Sequence, residues 1–331
     1  MLFLPNLDLE ILDLYSKWKF KLITQKIDIA IQSFKKPELL LYTLLNLKKT
    51  SQDLIDNVWI QDDSDDDRAI KFYESGSFKG ALFPWNIHVK KNSQRGGWWF
   101  TPVKGLYPTY LSPLKRLLFS LRAKYRGTGF SLKRENSRYQ WAIDNTDKKY
   151  LLIIHDDIVF YQDVISSSLD KFGSDQNLAI VGDLGQCWRC NYRKKNCNPQ
   201  KIVQGYRPSK YWPDIEPEMD GHRWPCRINE WCCILNVDVV KHIEDKYSVL
   251  FGGYDNHGDI AAYWFNLINQ EGYSFDDLAA TPEAKVNLFL HADGGSGHSV
   301  WVDQGDGKKV YDGNHILTKI KSDFNIEVLV N

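Results

Sequence analysis

"KIDIAIQSF", residues 26–34, runs through the single residue Lys35 into "KPELLLYTLLNLKK", residues 36–49. The first segment is a short β-type run. The second is helical in pattern. Pro37 suits a first helical turn, where a missing N–H costs nothing. Leu40, Leu41, Leu44, Leu45 and Leu47 form an apolar helical face, and Lys48 and Lys49 suit the negative end of a helix dipole. "NVWIQDDSDDD", residues 57–67, then reads as a strand that ends in acids. Strand, helix and strand in this order predict a β-α-β unit, parallel strands and a doubly wound α/β sheet. In such sheets ligands bind at the carboxyl ends of the strands.

A second acid-bearing strand follows at "LLIIHDDIVF", residues 151–160. Four aliphatic residues lead into His155, Asp156 and Asp157, and the apolar pattern then resumes. Buried carboxylates must be paired, solvated or metal-bound. Adjacent carboxylates beside a histidine suit a hard divalent cation that also takes phosphate oxygens and water. A solvated strand end or a helix cap would use the same residues, and the local pattern leaves both open. "QDDSDDD" is not a calcium-binding EF-hand loop. Counted from Asp62, positions six and twelve are Asp67 and Tyr73; counted from Asp63 they are Arg68 and Glu74, so neither register has both the glycine and the glutamate.

The 331 residues are enough for one large α/β domain or two modest ones, and the rest of the chain continues the pattern. "LAIVGDLG" (178–185) reads as a strand, "EWCCILNVDVV" (230–240) as strand then helix, and "VNLFLHADGGSGHSVW" (286–301) as a late strand entering a Gly/His loop. "DIAAYWFNLINQEGY" (259–273) is an amphipathic helix closed near Gly272, with Asp259 at its start. A carboxylate there can cap the helix. It is also held ionised by the dipole, which suits a general base.

Composition narrows the classes. The 331 residues carry 42 Lys and Arg against 42 Asp and Glu, so a dedicated nucleic-acid binder is disfavoured. Aromatics reach 14%, with 12 Trp, which suits sugar stacking as well as core packing. "MLFLPNLDLEILDLY" is broken by Asp8, Glu10 and Asp13 and predicts an amphipathic helix, with neither a signal peptide nor a transmembrane segment. The expectation is a cytoplasmic protein, with peripheral membrane contact open and the six cysteines reduced. Residues 186–227 form a Cys- and Trp-rich insertion. Cys187, Cys190, Cys197 and Cys226 are candidate ligands of a structural zinc, although their spacing is not that of a standard finger, and buried free thiols are the alternative. Cys232 and Cys233 lie on a strand pattern and are expected in the core. Trp188, Trp212, Trp224 and Trp231 could line an acceptor groove or pack the insertion, and Asn229, Glu230 and Trp231 are candidate acceptor contacts.

Four stretches in order resemble the inverting family 2 glycosyltransferases of GT-A fold. "IAIQSFKKPELLLYTLLNL" is similar to that family's opening strand, turn and first helix. "VWIQDDSDDD" is similar to its nucleotide-binding acids, "IIHDDIVF" to its DXD strand, and "FGGYDNHGDIAAYWFNLINQEGY" to its acid-led catalytic helix. The resemblance covers roughly residues 27–300, and it implies a Rossmann-like mixed sheet flanked by helices. Around this catalytic domain it leaves an N-terminal helical extension (1–26) and a C-terminal tail (301–331). Within it, 27–160 would be the nucleotide-binding half and 161–300 the acceptor half.

The resemblance also implies roles. Gln32, Phe34, Asp62, Asp63 and Asp156 would bind the nucleotide-sugar donor, with Asp63 on the nucleobase. Asp157 and His291 would hold Mn²⁺ or Mg²⁺, with His298 the substitute for His291. Asp259 would be the base, and the acceptor a glycan or another hydroxyl-bearing molecule. Diphosphate contacts are not legible, and Arg68, Arg95 and Lys104 are only candidates. His155 stands where the family pattern expects an acid. The competing classes are a nucleotidyltransferase or phosphohydrolase using the same acids, and a non-catalytic partner- or glycan-binding module with a structural zinc.

Overall fold

The computed structural model describes residues 25–64, 67–92, 134–185, 227–253, 260–279, 282–291, 302–303 and 309–328. The expected α/β architecture is present, as a seven-stranded mixed sheet with helices on both faces. Strand β1 (Ile27–Ser33), helix α1 (Pro37–Ser51) and strand β2 (Ile55–Asp62) form the expected β-α-β unit, with β1 and β2 parallel. Two short helices, α2 (Arg68–Glu74) and α3 (Gly76–Leu82), lead into β3 (Asn86–Lys91), parallel to β2. After helix α4 (Gln140–Asn145), β4 (Tyr150–Ile154) returns to the other side of β1, again parallel. Strand order therefore reverses at β1. This switch point, between the carboxyl ends of β1 and β4, is where open α/β sheets form their ligand crevice.

Strand β5 (Ile158–Phe160) is followed by helix α5 (Val164–Ser174) and by β6 (Leu178–Gly185). Strand β7 (Arg227–Asn236) runs antiparallel to both β4 and β6, and it continues directly into helix α6 (Val237–Tyr247). Helix α7 (Ala262–Gln270) precedes the edge strand β8 (Ser274–Asp277), which is parallel to β6. The order is β3-β2-β1-β4-β7-β6-β8. The reversed β7 places its first residues, Arg227–Trp231, at the carboxyl ends of its neighbours.

The pattern of β1 explains its central place. Ile27, Ile29 and Ile31 enter one core with the leucines of α1, while Ala30 enters a second core on the other face with Leu151, Cys233 and Trp264. Both faces of the strand are thus covered, as a parallel central strand requires. Cys232 and Cys233 are fully buried, as expected. At Gly182 of β6 an added Cβ would lie 2.4 Å from Cys233 Cβ and from Ile228 Cγ2, so β6 and β7 pack as closely as they do only with glycine there.

Three boundaries differ from the sequence reading. Strand β2 stops at Asp62 instead of reaching residue 67, because Ser64 N–H turns back to Asp62 Oδ1. The 151–160 stretch is not one strand. It breaks at His155–Asp157, and β5 joins β9 (Phe289–His291) in a separate antiparallel pair. Helix α7 begins at Ala262, with Ala261 in a left-handed conformation at its N-cap, whereas the helix was expected from residue 259. A short helix α8 (Pro282–Lys285) precedes β9, and β10 (Val302–Asp303) pairs with β11 (Lys309–Val310). Helix α9 (Gly313–Phe324), in the segment read as a tail, docks on α1. Ile316 and Ile320 join the first core, and the Tyr42 hydroxyl donates to Asp323 at 2.8 Å. Among the described residues no helix is long and apolar enough to cross a membrane.

Candidate functional site

The crevice between β1 and β4 is lined by groups from three strand ends. Ser33, the last residue of β1, shares a 2.6 Å hydrogen bond with the Tyr73 hydroxyl of α2. The Ser33 hydroxyl lies 3.2 Å from Asp156 Oδ2, and the Phe34 N–H donates to the same oxygen at 3.4 Å. The Asp156 carbonyl in turn accepts from Thr43 of α1. Asp156 is therefore oriented from both sides. Asp157 is 4% exposed; its Oδ1 lies 3.1 Å from His291 Nε2. The pairing of β5 with β9 sets that contact by placing His291 opposite Ile158.

The two acids have different electrostatics. Burial raises the Asp156 carboxyl, Lys36 opposes the shift, and Asp157 adds to it. Burial also pushes Asp157 up, but His291, His155 and Lys36 outweigh it and hold this carboxyl well below the usual range. Burial lowers His155 to about 3, so its ring is a neutral imidazole at physiological pH. Its Nε2 is buried with no hydrogen-bond partner among the described residues.

His155, Asp157 and His291 place one ligand atom each within 4.8 Å of one another. A neutral ring nitrogen without a partner, an ionised carboxylate and a second imidazole are the forms that ligate a divalent cation. The three side chains thus fit a metal. Sequence reading found Asp157 and His291 but treated His155 as a departure from pattern. The only local signal for it was its place beside the acids. Trp231, at the start of β7, packs its ring 4.7 Å from His291 and donates its indole N–H to the buried Asp183, which also pairs with Lys285. These groups were not legible as neighbours.

The β2 end forms the adjoining wall. Asp62 is fully buried; Oδ1 accepts from Ser64 N–H, and Oδ2 has no partner among the described residues. Asp63 Oδ1 accepts from Asn92 Nδ2 at 2.6 Å, and Asn92 Oδ1 accepts from Gln61 Nε2 at 2.9 Å. Gln32, beside Gln61 in the β1–β2 register, has both amide atoms buried and unpartnered among the described residues. Buried polar atoms without partners are costly, so such a concentration at strand ends marks where a polar ligand would complete the network.

Burial, opposed by Ser64, raises Asp62 to about 6. The folded value lies above the ordinary 3.8, so folding favours the protonated acid. Its contribution to stability is fully present below pH ~4 and is lost as pH rises through ~6, a change of about 3 kcal/mol. Urea unfolding of the parent and of Asp62→Asn at pH 4.5 and 7.5 measures this. The parent is expected to lose more stability across that interval than the variant. Equal losses would mean that Asp62 titrates normally in the fold.

Other expected site residues fall elsewhere. Glu230 is buried and paired with Arg227 at 3.3 Å, and Arg227 also donates to the Ile260 carbonyl, tethering the entry to α7. Arg68 pairs with Glu38 of α1. Asp259, His298, Arg95, Lys104, Trp188, Trp212, Trp224 and the cysteines 187, 190, 197 and 226 lie outside the described residues.

No family model and no curated protein matches the sequence. Among solved structures the chain is similar to a mannosyltransferase from Pyrobaculum calidifontis in complex with GDP-Man and Mn²⁺, at 10% identity and TM-score 0.39, over 80% of this chain and 61% of that one. It is also similar to glucosyl-3-phosphoglycerate synthase from Mycobacterium tuberculosis in complex with phosphoglyceric acid, at 9% identity and TM-score 0.41, over 83% and 75%. A third is a galactosyltransferase in complex with donor and acceptor sugar analogues, at 10% identity and TM-score 0.39, over 89% and 95%. The chain thus spans about three fifths of the mannosyltransferase's length. Overlaps this loose do not decide its chemistry.

Proposed function

We propose that this protein is a metal-dependent glycosyltransferase that moves a hexose from a nucleotide-diphosphate donor to an acceptor hydroxyl, with inversion at the anomeric carbon. The observation that carries the reading is the convergence of His155, Asp157 and His291 with the oriented Asp156 at the β1–β4 crevice. Two imidazoles and one carboxylate favour Mn²⁺ over Mg²⁺, which prefers oxygen ligands throughout. When bound, the cation would neutralise charge developing on the departing diphosphate.

The chain's own residues supply the rest. Ser33 and the Phe34 N–H hold Asp156 for hydrogen bonds to the donor's ribose and sugar. Gln32, Asp62 and Asp63 face the strand-end region that would take the nucleoside. Trp231 offers an aromatic wall beside His291 for the acceptor side, while its indole N–H is held by Asp183. Asp259 accepts the acceptor's proton as its oxygen attacks, and a single displacement inverts the configuration.

A thermal-shift series with nucleotide sugars, each with and without Mn²⁺, tests this. One nucleotide class should stabilise the protein only when metal is present, by about 2.7 kcal/mol at a hundredfold excess over its dissociation constant. Silence across the whole series would overturn the reading. Stabilisation followed by hydrolysis of the nucleotide, with no transfer to any hydroxyl, would favour a phosphohydrolase.

A further inference from the structure

Lys36 is the group that the sequence analysis passed over. It occupies the N-cap position of α1, immediately past the end of β1, and its carbonyl accepts the first helical N–H, from Leu40. The backbone is thereby pinned at the mouth of the crevice. The side chain crosses it, with Nζ 3.7 Å from Asp156 Oδ1 and 3.8 Å from Asp157 Oδ2. One ammonium thus spans both carboxylates of the adjacent pair.

These separations are those of ion pairs longer than ordinary hydrogen bonds. The carboxylates are buried and pinned by other partners, but the lysine is 24% exposed on a flexible four-carbon stem. Lys36 is more exposed than either carboxylate and sits on the longer, more flexible side chain. A divalent cation on Asp157 would repel it. A diphosphate bound beside that cation would offer it new oxygens within the same reach.

We infer that Lys36 is an exchangeable counter-ion: it balances Asp156 and Asp157 before a cation is bound, then turns to the diphosphate of the loaded site. The inference rests on the function proposed above and adds a diphosphate contact that the sequence did not disclose.

The two halves predict opposite signs in one variant. Lys36→Met removes a competing positive charge, so Mn²⁺ alone should bind the full chain about three- to tenfold more tightly by titration calorimetry. At saturating Mn²⁺, affinity for the best binder among UDP, GDP, ADP and CDP should fall about tenfold, the loss of one charge-assisted hydrogen bond. Lys36→Arg should restore most of the nucleotide affinity, and circular dichroism would confirm that both variants fold. A parent protein that binds Mn²⁺ and a nucleoside diphosphate, with Lys36→Met changing neither or weakening both, overturns this inference alone. A Lys36→Met chain that does not fold overturns it too unless Lys36→Gln folds and shows the opposed shifts. A parent that binds none of the four nucleotides overturns the proposed function together with it.

Discussion

Asp157→Asn is expected to abolish metal binding and to reduce sugar transfer about a thousandfold, a rise of about 4 kcal/mol in the barrier. The reason is the position of this carboxylate. It is the acid in the His155–Asp157–His291 group, and its neighbours keep it ionised despite burial. Asparagine keeps the shape but gives up the charge that would offset the cation. The alternative is that Asp157 serves only to pair with His291 and Lys36. Removing one partner of a buried ion pair costs about 3–5 kcal/mol of stability. Calorimetry with Mn²⁺ and urea unfolding separate the two. Lost metal affinity with a modest stability change supports the site. Unchanged metal affinity with a large loss of stability would show that Asp157 is structural.

Asp259→Asn should lower the rate of transfer by roughly 10²–10⁴ while leaving donor affinity unchanged, because a general base acts only as the acceptor proton moves. In the sequence, Asp259 is the acid just before the amphipathic helix. The structure refines where that helix starts: α7 begins at Ala262, behind a left-handed Ala261. Asp259 therefore precedes the helix by three positions in the chain, in the segment that leads into it. Arg227 holds that approach through the Ile260 carbonyl. Single-turnover transfer and donor titration measured on one preparation check the prediction. A variant with full activity would reject the base assignment, and one that also loses donor affinity would place Asp259 on the donor side.

Asp157 is singled out by tertiary contacts and Asp259 by its place in the sequence, and the difference has a physical cause. The β1–α1–β2 unit was legible because its signals are local. Ile27, Ile29 and Ile31 repeat at strand period, the leucines of α1 repeat at helical period, and Pro37 and the two lysines mark the helix ends. The acids at the ends of β2 and β4 were legible for the same reason, since an apolar run that meets carboxylates must either leave the core or supply them with partners. The break within "LLIIHDDIVF" was not. Ile158–Phe160 has the composition of a continuing strand, and only pairing with Phe289–His291 diverts it.

What the sequence by itself determined is the β1–α1–β2 unit, the strand character of β4, β6, β7 and β9, the helices α6 and α7, the parallel start of the sheet and the placing of its acids at strand ends. Each of these follows from residues a few positions apart. Tertiary structure alone decided the reversed β7 and the docking of α9 on α1. It also decided the meeting of His155 with His291, the bridging of Asp156 and Asp157 by Lys36, and the burial of the Gln32 amide and of Asp62 Oδ2 without partners among the described residues. These depend on groups far apart in the chain. His291 is 134 positions from Asp157. Their contact exists because two three-residue strands pair, and no periodicity records that pairing. His155 shows the consequence most directly: in the sequence it interrupts an acid motif, and in the fold its buried, unpartnered ring nitrogen completes the one metal-competent group among the described residues.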